Sequence, residues 1–75
     1  MFRFEILDGE KVKEIIALKG ESMRSFANLI GVSPSFISQV LNGKRKVSAV
    51  VAGKIAKGLD RKIDEIFLMK KFTGK

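Results

Sequence analysis

Ser35, Gln39 and Asn42 recur at intervals of four and three residues in the stretch SPSFISQVLNGKRK, residues 33–46. On a helix they fall within about 60° of one another. None of them is charged, so the chemistry they offer is hydrogen bonding, not proton or electron transfer. A glutamine amide carries a donor beside an acceptor, which suits adenine N6 and N7, and a serine hydroxyl serves several bases. Short neutral side chains also let a helix come close to base edges. A solvated helix face normally holds Lys and Glu, and this one holds neither. GKRK, residues 43–46, then supplies Lys44, Arg45 and Lys46 in succession. Phosphate oxygens bordering a groove are the simplest target for such a cluster, and Arg45 and Lys46 are long enough to reach a base edge.

The charge of the whole chain points the same way. Its 75 residues carry a net charge of +7, all of it in residues 44–75, since residues 1–43 sum to zero. No acidic residue lies between Glu21 and Asp60, whereas Arg24, Lys44, Arg45, Lys46, Lys54 and Lys57 all do. A one-signed stretch suits an anionic partner, nucleic acid before membrane. The absence of cysteine excludes disulfides, and the absence of histidine removes the commonest general base. Six serines are present with no His or Cys to activate them, so no enzyme, metal or cofactor is expected. No apolar run is long enough for a membrane span, and MFRFEILDGEK lacks the apolar stretch of a secretory leader. A soluble cytoplasmic protein of one small domain, residues 1–75, is the expectation.

Helices must position these residues. Asp8 caps a first helix bearing Val12, Ile15 and Ile16, which Gly20 stops. Ser22 caps a second, in which Met23, Phe26, Ala27 and Ile30 share one stripe while Arg24 lies on the exposed side. Gly31 ends it. Ser33 and Pro34 open a third helix that runs to about Asn42, with Ile37, Val40 and Leu41 opposite the polar face. Ser48 caps a fourth that carries Val51, Ala52, Ile55, Ala56 and Leu59 inward. Gly53 and Gly58 weaken it, and close approach of another helix would explain Gly53. Ile63, Ile66 and Phe67 suggest a short fifth helix. Residues 1–8 read as a short strand or a packed arm, and residues 68–75 as a C-terminal tail. The fold class is all-α, with four or five short helices.

Two short helices joined by a tight glycine turn make a helix-turn-helix unit at about residues 23–42. FANLIGVSPSFISQVLNGKR resembles the core of the lambda-repressor-like helix-turn-helix family, the Cro and CI type. The shared features are the Phe26-Ala27 pair, the Gly31 to Ser33 turn, Ile37-Ser38 and Asn42-Gly43. KIAKGLDRKIDEIF, residues 54–67, is similar to that family's fourth and fifth helices. The resemblance implies a five-helix domain whose third helix enters the major groove of double-stranded DNA. It implies base reading by Gln39, a contact by Ser35 near the helix start, and phosphate contact by Asn42, with Arg24, Ser33, Phe36, Ser38, Lys44, Arg45 and Lys46 completing the DNA-binding surface. Met23 stands where many relatives have glutamine, Pro34 replaces a polar residue, and Asp60-Arg61 replaces a frequent Gly-apolar link.

The resulting expectation is a sequence-specific transcription regulator, of a size that suits a phage or mobile element. It would bind as a homodimer to two half-sites, or with a heteromeric regulator partner. The alternative on the same fold is an antirepressor, modulator or antitoxin that binds a protein, using Phe36 and the apolar segment Ile66, Phe67, Leu68, Met69 and Phe72. Phe36, on the flank between the two faces of its helix, has three destinations: the core, a thymine methyl, or a partner protein.

Overall fold

Local capping defines most of the helices in the computed structural model, which describes residues 2–71. Asp8 starts α1 (Gly9–Leu18), its carboxylate accepting from the Lys11 N–H at 3.1 Å. Ser22 starts α2 (Met23–Ile30) by a reciprocal pair of bonds with Ser25, 3.0 and 2.8 Å long. Ser33 starts α3 (Pro34–Leu41) and Ser48 starts α4 (Ala49–Leu59) in the same way. Each of these caps satisfies a helix-end N–H that has no partner within the helix. A single turn, α5 (Ile63–Ile66), follows. Asp60 ends α4 in the left-handed region at φ 62°, a conformation that glycine adopts most readily.

The helices enclose one apolar cluster. Phe26, Ala27, Ile37, Val40, Ala52 and Ile55 are fully buried at its centre, with Val12, Ile15, Ile16, Leu41 and Leu59 around them. Met23 and Ile30 pack on it half-buried, so Met23 serves the core.

Two strands depart from the expected all-α plan without changing its predominantly helical character. The N-terminal segment takes the strand option as β1 (Phe2–Ile6). Residues 68–71, expected as tail, join Phe67 in β2 (Phe67–Lys71), antiparallel to β1 with Phe4 opposite Met69. Phe4 and Phe67 meet edge to face, centroids 6.4 Å apart. On its other side β1 pairs with Val47 through bonds of 2.8 and 2.9 Å. The end of the GKRK loop is therefore tied to the ribbon. Phe72 and the rest of the tail lie outside the described residues.

Gly58, not Gly53, is where helices crowd. A Cβ at Gly58 would lie 2.8 Å from the Ile30 methyl and 3.0 Å from the Phe26 ring. At Gly53 it would meet only the tip of Ile63, at 3.8 Å. Gly53→Ala should therefore stabilise the protein by about 0.5–1 kcal/mol, the ordinary gain of alanine inside a helix. Gly58→Ala should destabilise it by about 1 kcal/mol, because overpacking of about 1–3 kcal/mol exceeds that gain. Urea unfolding of the two variants measures both signs.

Candidate nucleic-acid interface

α3 divides as its sequence pattern requires. Ile37, Val40 and Leu41 are buried, Ser35 and Asn42 are exposed, and Ser38 and Gln39 are half-buried. Ser33 spends its oxygen on the helix start, accepting from the Phe36 N–H at 3.1 Å, and retains its hydroxyl proton for an outside acceptor. Lys44, Arg45 and Lys46 follow α3 in an exposed loop. The loop begins by folding back, with the Lys44 N–H donating to the Gln39 carbonyl at 2.9 Å. It ends at buried Val47, held by β1. The basic cluster thus spans two fixed points.

Several expected residues converge. Arg45 Nε donates to Gln39 Oε1 at 3.0 Å, and its guanidinium lies 5.2 Å from the centre of the Phe36 ring. Phe36 itself is half-buried and packs against the core, with Arg45 set above its ring. Asn42 Nδ2 donates weakly to Ser38 Oγ at 3.5 Å. Ser35, Lys44 and Lys46 are exposed on α3 and its loop, and Arg24 is exposed on α2.

One member was not visible from the sequence. Lys13 Nζ donates to Asn42 Oδ1 at 3.3 Å while pairing with Glu10 at 3.3 Å. It comes from α1, which begins hard against the end of α3. A Cβ at Gly9 would collide with the Leu41 carbonyl, so glycine permits this contact. Lys13 belongs to no local motif, and only the packing of α1 on α3 brings it there.

A family model described as helix-turn-helix matches residues 12–66, from α1 to the end of α5. The chain belongs to the helix-turn-helix family. It is 39% identical over 46 residues to an uncharacterised HTH-type transcriptional regulator, YvzC, of Bacillus subtilis (strain 168), a match spanning 61% of this chain and 60% of that protein. Its structure resembles the restriction-modification controller protein C.AhdI of Aeromonas hydrophila, with TM-score 0.67 and 35% identity over 76% of this chain and 86% of that one. The clp gene regulator ClgR of Corynebacterium glutamicum shares the fold at TM-score 0.66 and 24% identity, over 76% of this chain and 61% of its own. The helix-turn-helix unit expected at about residues 23–42 is found as α2 and α3. The names of these relatives describe regulators. Among the described residues no helix is long and apolar enough to cross a membrane.

Phe36 offers a direct check of this arrangement. Phe36→Ala should lower the unfolding free energy by about 1–2 kcal/mol, below the full-burial range because the ring is half-buried. Denaturant unfolding measures it. A ring that served only the groove or a partner would leave stability unchanged.

Proposed function

We propose that the chain binds double-stranded DNA sequence-specifically as a transcription regulator, with α3 in the major groove. The observation that carries this reading is the sharp division between α3 and its loop. The outward side of α3 holds neutral polar groups and no charge, and three exposed bases begin two residues past its cap, Asn42. Base edges need hydrogen-bond donors and acceptors at close range, whereas the phosphates that border them need charge. Gln39 and Ser35 are assigned to bases. Asn42, Lys44, Lys46 and Arg24 are assigned to the backbone, and Ser33 and Ser38 support the contact. Two copies would read half-sites about 34 Å apart. Phe2, Leu68 and Met69 on the ribbon are about half exposed and offer apolar surface for the second copy. The antirepressor reading is less favoured at Phe36, since part of that ring packs on the core and a guanidinium sits over it. Action in the cytoplasm accords with this role.

Titration into random duplex and into the region upstream of the protein's own gene, at several salt concentrations, tests the proposal. Weak salt-dependent binding to any duplex and much tighter binding to a specific site are expected. Gln39→Ala should mainly reduce discrimination between sites. Lys44→Ala should weaken all duplexes alike and lower the salt slope by about one. No duplex binding, with tight binding to a second regulator protein, would overturn the DNA-binding reading. Identical behaviour of the two variants would overturn the division of roles.

A further inference from the structure

We propose that Arg45, seated on Phe36, makes Gln39 a donor-presenting side chain, so that α3 selects guanine at the position where an unconstrained glutamine would take adenine. This rests on the DNA-binding reading above and adds a specificity determinant to it. A guanidinium has donors and no acceptor, so it can engage an amide only through the oxygen. The 3.0 Å bond from Arg45 Nε to Gln39 Oε1 therefore fixes which way the amide is turned. The oxygen faces Arg45 and the NH2 faces away.

Adenine requires an acceptor for its N6 amino group next to a donor for N7. Here the amide oxygen is drawn toward a cation, and the N6 amino group would have to approach beside that positive charge. Guanine presents two acceptors, N7 and O6. Gln39 Nε2 and the two Nη groups of Arg45, left over once Nε is engaged, are all donors. The pair is therefore complementary to an edge of acceptors.

Three features hold Arg45 in place. The Phe36 ring lies under the guanidinium at 5.2 Å, within the range of a cation–π contact. The Lys44 N–H bond to the Gln39 carbonyl sets the start of the loop over that same residue. The Val47 pairing with β1 fixes its end. Among the described residues no carboxylate pairs with the guanidinium, the ion pairs there being Lys13–Glu10 and Lys70–Glu5. Phe36 is a positioning residue in this scheme, and Arg45 acts both on Gln39 and on the base.

The test selects the tightest duplex for the wild-type chain from a random pool, then uses Gln39→Ala to find the base pair at which discrimination is lost. All four bases are compared at that pair for the wild type, Arg45→Ala, Phe36→Leu and Phe36→Tyr. The wild type should prefer guanine over adenine by about tenfold or more. Arg45→Ala should reverse the preference to adenine. Phe36→Leu, which keeps an apolar side chain without a ring face, should shift the ratio toward that of Arg45→Ala, and Phe36→Tyr should keep the wild-type ratio. An adenine preference in the wild type, or a guanine preference unchanged by Arg45→Ala, overturns this proposal and leaves the DNA-binding reading standing. Failure to enrich any duplex overturns both.

Discussion

The contact between the Phe26 ring and the bare backbone of Gly58 governs how the rest of the molecule is assembled. Phe26 is fully buried, and a Cβ at residue 58 would lie 3.0 Å from its ring and 2.8 Å from the Ile30 methyl, so the pair must shift to admit one. With that seam closed, α2 lies tight on α4, and Ile30 reaches the same point near the end of α2. Gly31 turns the chain immediately afterwards, at φ 82°, so the direction of α3 follows from the seating of α2. Ala27, Ile37 and Val40, all fully buried, then leave α3 little freedom to roll about its axis. The helix that bears the candidate interface is thus set chiefly by apolar packing.

That reliance on packing explains how the outward face can be so spare. A helix that relied on surface ion pairs would need Lys and Glu three or four residues apart. α3 has a serine cap at one end, Pro34 in its first turn and an asparagine cap at the other. The loop that follows is equally constrained. It is pinned by the Gln39 carbonyl at its start and by β1 at Val47. The ribbon therefore bears on the interface from a distance: β1 holds the far end of the basic loop, and β2 holds β1.

The helices were legible because their signals are local. Asp8, Ser22, Ser33 and Ser48 sit where the caps form, and Gly31 sits where α2 stops. The division of α3 into buried and outward residues was legible for the same reason, since it is a property of 3.6-residue spacing. β2 was not. FLMKK follows α5 without a turn signal, and past Phe67 all of its residues are exposed, so no alternation of apolar and polar residues marks it. Its partner lies more than sixty residues away, at the other end of the described chain. The crowding falls at Gly58 and not at Gly53, which the sequence does not reveal because helical spacing shows which face a glycine occupies but not how near the neighbouring helix comes. Lys13 and the Arg45–Gln39 bond escaped notice because both depend on where one element lands on another. The resemblance carried Gln39 and Asn42 as positions, and only the packed structure gave them neighbours.

The charge distribution follows from the same separation of duties. Arg24, Lys44, Arg45, Lys46, Lys54 and Lys57 are exposed and lie in a stretch without an acidic residue between Glu21 and Asp60. Such crowding of one sign opposes the compact state, although exposed charges in water and salt repel only weakly. Interspersed glutamates would relieve the repulsion at little steric expense on an open surface. They would also cancel the positive potential that the proposed binding of a polyanion requires. Because the core chiefly seats α2, α3 and α4, the chain tolerates an unbalanced surface. The imbalance is concentrated where α3 ends, at the border between a neutral face suited to bases and a loop suited to phosphates.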